Sequence, residues 1–166
     1  MLSFTDAQIE AGVSRFQHEL FALAVCLIGG DHDKAYDVAT ASCAEAAGSV
    51  SLFDKMAGAD SARFRIRALG IVIGQCREIK ARFLPDGIER MDAGKEEKKM
   101  LRLLLAALCE LPFEARVLLL LRDQVHLAYP EICAVTRVRQ DEARAAIEDA
   151  RTDLRKKIEE SLSRQG

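Results

Sequence analysis

The sequence predicts an all-helical protein. Three observations carry that expectation. Apolar residues recur at spacings of three and four through long stretches, the three prolines fall between those stretches, and the period-two alternation of β-branched residues that marks strands is almost absent.

The first helix shows an apolar stripe at Phe16, Leu20, Leu23 and Leu27 and ends at Gly29-Gly30, a natural C-terminal cap. Asp31 or Asp33 then caps a second helix, whose Ala35, Val38, Ala39, Ser42 and Ala46 form a face of small residues; Gly48 and Ser49 weaken its end. A third helix is expected from Ser61 to Phe83, with Phe64, Ala68, Val72, Cys76, Ile79 and Phe83 on one side. Pro85-Asp86-Gly87 stops it. The polar, charged stretch that follows reads as a linker, and helices resume near Lys98. Leu105, Leu108 and Leu111 lead into Pro112, which suits the first turn of another helix. The last long helix carries Ala143, Ile147, Ala150, Leu154 and Ile158. The expected organisation is two small helical domains, 1–83 and 100–166, joined by a polar linker at 84–99. In the second domain a support, a short crossing helix, a tight turn and a helix with one free face follow in the order a DNA-reading helix-turn-helix needs.

Composition narrows the function classes. Apolar residues are 49% of the 166, enough for a buried core. No apolar run is long enough to span a bilayer, and the opening MLSFTDAQIE is too acidic and polar for a secretion signal, so a cytoplasmic protein without membrane insertion is expected. The five cysteines, at 26, 43, 76, 109 and 133, show no CxxC spacing. They read as small buried thiols, with a zinc site or a redox pair between the domains as the sharper alternative. His18, His32 and His126 have no ligand spacing, and GGDHDKAYD lacks the central Gly and closing Glu of a calcium loop. No cofactor is expected. No catalytic constellation or phosphate-cradling loop is present, so the chain does not read as an enzyme.

The net charge of −2 gives no general attraction to nucleic acid, so any DNA contact must be local. Two patches qualify. Between 61 and 83 the bases Arg63, Arg65, Arg67, Arg77, Lys80 and Arg82 face one acid, Glu78. Such a helix can neutralise phosphates, or be a solvated face balancing acids elsewhere. From Gln140 to Lys157 five bases, including Arg144 and Arg151, equal five acids, Asp141, Glu142, Glu148, Asp149 and Asp153. Arg137 and Arg139 in the turn add to the positive side. The alternative for this helix is packing on a protein partner.

LLLAALCELPFEARVLLLL followed by YPEICAVTRVRQDEARAAIEDARTDLRKKI resembles the C-terminal DNA-binding domain of bacterial extracytoplasmic-function sigma factors. The shared features are Leu111-Pro112, Arg116, Glu131-Ile132-Cys133, Asp149-Ala150-Arg151 and Leu154-Arg155. LFALAVCLIGGDHDKAYDVATASCAEAA is similar to the family's polymerase-gripping segment, with Ala35 and Asp37 on its Ala-Glu-Asp step and Thr40 where Gln is usual. Arg137 stands where the family has a turn glycine, Glu142 where it has a hydroxyl residue, and Ala146 and Asp149 where it has arginines.

The resemblance implies a transcription initiation factor without catalytic residues. Asp37 and Val38 would meet core RNA polymerase, and Arg63, Arg65, Arg67, Arg77 and Lys80 would meet promoter DNA at the −10 box. Arg137, Arg139, Arg144 and Arg151 would meet it at the −35 box. An anti-sigma factor is a further implied partner. The competing reading, motivated by Asp141, Glu142, Glu148 and Asp149, is a sigma-like interaction module that binds an anti-sigma factor or polymerase without reading promoters.

Overall fold

The computed structural model describes residues 6–48 and 61–164, and every regular element among them is a helix. Ser49, expected to weaken the second helix, lies outside the described residues, as do 50–60 of the first expected domain.

Helix α1 spans Asp6–Ile28 and α2 spans His32–Gly48. The turn between them forms because Gly29 and Gly30 adopt φ of 96° and 104°, while both amides bond back to the Val25 carbonyl at 3.1 and 2.9 Å. Gly29 is required for space as well, since a Cβ there would stand 2.3 Å from the Arg82 carbonyl oxygen. Of the two candidate caps, Asp31 does the capping: its Oδ1 accepts the Lys34 amide at 3.0 Å. The small-residue face of α2, Ala35, Val38, Ala39, Ser42 and Ala46, is buried, as is the α1 stripe. Small side chains let the two backbones approach closely.

Helix α3 spans Ser61–Arg77 and packs on α1 and α2 through Ala68, Leu69, Val72 and Cys76. It ends six residues before the expected Phe83. The reason is tertiary: residues 80–84 run without helical structure, and the Arg82 and Leu84 amides donate to the carbonyls of Ile28 and Gly29 at 3.2 and 2.8 Å. Those bonds replace the intrahelical ones that 78–83 would have made. Within the expected linker a single turn, α4 (Asp86–Glu89), buries Gly87 and Ile88. A Cβ on Gly87 would lie 2.4 Å from the His32 ring, which itself sits edge-on to Phe21.

Helix α5 (Lys95–Glu110) begins slightly ahead of the expected Lys98. Lys98 Nζ reaches the Glu89 carbonyl at 2.9 Å, and Arg102 pairs with the Glu89 carboxylate, which fastens α4 to α5. Helix α6 spans Phe113–Asp123 with Pro112 at its N-cap. Helix α7 spans Tyr129–Thr136 and α8 spans Gln140–Ser163. The faces of α6, α7 and α8 meet through Val117, Leu121, Ile132, Ala143, Ile147 and Ala150, all buried. The residues of α1–α3 and of α5–α8 belong to one contiguous apolar core.

Arg116 crosses from one group to the other. The residue is 4% exposed, and its Nη1 donates to the Leu27 carbonyl at 2.6 Å. Burial lowers its affinity for a proton, while Cys109 and Cys76 nearby oppose that shift. Burial also raises the thiols of Cys26, Cys43, Cys76 and Cys109, with Cys26 pushed up to about 11 and Cys76 to about 12. Cys43 and Cys76 are buried, and Cys26, Cys109 and Cys133 are half-buried. Among the described residues no group of His, Cys, Asp or Glu is placed to hold a metal ion. Nor is any described helix long and apolar enough to cross a membrane.

Candidate nucleic-acid interface

The short helix α7 and the long helix α8 are joined by Arg137, Val138 and Arg139. Thr136 begins the break, because its Oγ1 bonds the Ile132 carbonyl at 2.8 Å and accepts the Val138 amide at 3.4 Å. Arg137 completes it in the left-handed region at φ 63° and ψ 15°, and its amide donates to the Cys133 carbonyl. Upstream, Glu131 Oε2 accepts the Ala128 amide at 2.7 Å and fixes the start of α7. Helix α8 is then a continuous rod of 24 residues leaning on α6 and α7. Its Ala143, Ile147 and Ala150 are buried, while Asp141, Glu142, Arg144, Glu148 and Asp149 are exposed.

The expected DNA-facing residues of this pair divide by their partners. Arg137 is exposed. Arg139 is exposed and shared between Asp141 and Glu142, at 3.1 and 3.2 Å. Arg151 donates from Nε to Asp123 Oδ2 at 2.9 Å and pairs with Glu148, and those carboxylates raise its pKa. Arg144 is exposed and stacks on Tyr129, its guanidinium carbon 4.7 Å from the ring centroid. Arg122 of α6 sits 4.8 Å from the same centroid, held by its bond to the Leu127 carbonyl at 2.8 Å. Among the described residues no carboxylate forms an ion pair with Arg122 or Arg144. One tyrosine ring therefore gathers two cations beside the start of α7. Beside Arg144 an open depression is lined by Gln140, Asp141, Ala145 and Glu148.

Sequence reasoning missed Arg122 and Tyr129. They lie on α6 and α7 while Arg144 lies on α8, so no single helical period reveals the cluster. An aromatic opening a short helix, seven residues after an arginine, was the available signal.

The basic residues of α3 also divide. Arg63, Arg67 and Lys80 are exposed, Lys80 lying just beyond the helix. Arg65 is half-buried and donates twice to the Glu19 carboxylate, both at 2.8 Å, and once to the Val125 carbonyl at 3.0 Å. The hydrogen bonds to Glu19 raise its pKa, against the opposing effect of burial. Arg77 pairs with Glu114 at 2.9 Å and lies over Phe113. On α2, Asp37 is exposed, whereas Val38 is buried in the core, so only Asp37 of that pair is at the surface.

No family model matches the chain, and no curated protein matches it.

Proposed function

We propose that the protein is a transcription initiation factor of the sigma type, a cytoplasmic protein that directs core RNA polymerase to promoter DNA and performs no catalysis itself. One observation carries the reading. A short helix, a three-residue turn with a left-handed residue and a long rod-like helix stand in sequence, with Arg137 exposed in the turn and Arg122 and Arg144 gathered on Tyr129 at the start of the short helix. That order supports a helix-turn-helix reading, in which the second helix enters the major groove while groups around the first hold the backbone. In this reading Arg144 meets the duplex, with Arg122 and Tyr129 steadying it against phosphates. The exposed Arg63, Arg67 and Lys80 serve the downstream box, and Asp37 serves the polymerase.

A second reading is favoured by the exposed carboxylates Asp141, Glu142, Glu148 and Asp149. They put negative charge along the same helix and suit a protein partner better than a duplex. The two readings separate in an anisotropy titration of labelled promoter duplex with and without core polymerase. A promoter factor binds specifically once polymerase is present. Its Arg144→Ala variant binds weaker, with a salt slope flatter by about one unit. Binding to polymerase or an anti-sigma factor with no promoter preference establishes the interaction module.

A further inference from the structure

We propose that Tyr129 is a phosphorylation site, at which the phosphoryl group is held by Arg122 and Arg144 and cancels the positive charge those two offer a duplex. The inference rests on the nucleic-acid reading of that cluster and adds its regulation.

Three observations carry it. The two guanidinium carbons stand 4.8 and 4.7 Å from the centroid of one ring, although they come from α6 and α8. The carboxylates around them are engaged elsewhere: Asp123 and Glu148 pair with Arg151, and Asp141 and Glu142 pair with Arg139. Glu131, on α7 itself, accepts the Ala128 amide. Arg122 spends one bond on the Leu127 carbonyl, and its remaining donors, with those of Arg144, have no acceptor among the described residues. Finally, the Tyr129 hydroxyl has no hydrogen-bond partner among the described residues and is open to solvent. The residue opens α7, and the exposed Ala128 before it is extended, at φ −70° and ψ 155°. A kinase therefore needs to loosen only the first turn of α7 to reach the hydroxyl.

The reaction takes a nucleoside triphosphate and a tyrosine kinase. The phenolic oxygen bonds to the γ-phosphorus, the bridging bond to the β-phosphate breaks, and the nucleoside diphosphate leaves. The phenolic proton passes to a carboxylate of the kinase. The product carries nearly two negative charges and three strong acceptor oxygens. Arginine meets such oxygens with paired donors, and bonds between ionised groups are stronger than neutral ones. Two arginines beside one ring thus suit a dianion. Once held, the phosphoryl group takes up the donors that a backbone phosphate would use, and its charge repels that phosphate.

The other tyrosine of the chain, Tyr36 on α2, is 57% exposed and has no arginine over its ring, so it serves as the internal comparison. Full-length chains are made with phosphotyrosine inserted at 129 or at 36 during translation, and the phosphate is titrated by phosphorus NMR. Its second proton should leave about half a pH unit or more lower at 129 than at 36, because nearby cations favour the dianion. Arg122→Ala together with Arg144→Ala should bring the two titrations together. The unmodified chain is also treated with a tyrosine-kinase catalytic domain and ATP, and peptide mass spectrometry should find the label at Tyr129. In the anisotropy titration with core polymerase, phosphorylation at 129 should weaken promoter binding by about tenfold or more. Equal titration at 129 and 36, in chains that are helical by circular dichroism, overturns the proposal. So does labelling of Tyr36 alone, or a promoter affinity unchanged by the phosphate. A lowered, arginine-dependent titration in a chain whose unmodified form binds no promoter supports the held phosphoryl group and overturns instead the nucleic-acid reading of the cluster.

Discussion

Arg137 carries a side chain where the backbone turns left-handed, at φ 63°. Only glycine, and to a lesser degree Asn or Asp, adopts that region without steric cost. Arg137→Gly should therefore stabilise the fold by about 1 kcal/mol, read as a higher urea midpoint, because relief of that strain outweighs the added freedom of the unfolded chain. The same change removes one exposed cation from the turn, so duplex affinity should fall while stability rises. Opposite signs from one substitution would identify Arg137 as a residue kept for contact. The cysteines make a second prediction at this scale. Burial pushes Cys26 up to about 11 and Cys76 up to about 12 from an ordinary 9.0. The folded state then holds those protons more tightly than the unfolded chain does. Their contribution is complete below pH 9 and is lost as pH rises toward the folded values, by a few kcal/mol in all. Thermal melts from pH 8 to 11 should show a falling midpoint. Cys76→Ala, which is less stable at pH 8, should show a shallower fall.

Helix α8 separates structure from contact along a single rod. Ile147 is fully buried and Arg144 is exposed, three residues apart. Ile147→Ala should cost about 2–5 kcal/mol through lost transfer energy and a residual cavity, lowering the melting midpoint. Arg144→Ala should leave the midpoint within about 0.5 kcal/mol of wild type, since its partner is a half-exposed tyrosine ring. Equal losses from both would mean that Arg144 is structural. The inward faces were legible in the sequence because period-3.6 stripes such as Leu20-Leu23-Leu27 and Ala143-Ile147-Ala150 depend on local spacing alone. The end of α3 was not. Ile79 and Phe83 continue the stripe, yet the Ile28 and Gly29 carbonyls draw the Arg82 and Leu84 amides away from helix, and sequence spacing carries no trace of that competition. Candidate site residues were legible as charges but not as neighbours. Arg63 and Arg144 reach the surface as expected, while Arg65 and Arg151 are engaged by Glu19 and Asp123, partners 46 and 28 residues away in the chain.

At the scale of the molecule the two helical groups meet at Arg116, a buried cation held by the backbone carbonyls of Leu27 and, at 3.5 Å, Leu111. Nη1 bonds Leu27, Phe113 stacks 5.8 Å away, and Nε has no hydrogen-bond partner among the described residues. A buried charge without a carboxylate is expensive, so two opposing effects decide the result of replacing it. Arg116→Met removes the desolvation cost and fills most of the volume, but it leaves the Leu27 carbonyl unpaired at the end of α1, a loss of about 1–3 kcal/mol. Arg116→Ala loses that bond and opens a cavity as well, which adds a cost comparable to a large-to-small core substitution, about 2–5 kcal/mol. Ala should therefore be clearly worse than Met, with both measured by urea unfolding. Because Leu27 belongs to one helical group and Arg116 to the other, the loss should also reach the cooperativity of the whole chain. Arg116→Ala should broaden the transition or split it in two, whereas Ile147→Ala, inside one group, should move a transition of wild-type shape. A single sharp transition for Arg116→Ala would mean that the shared apolar core alone couples the two groups and that the guanidinium has no part in it.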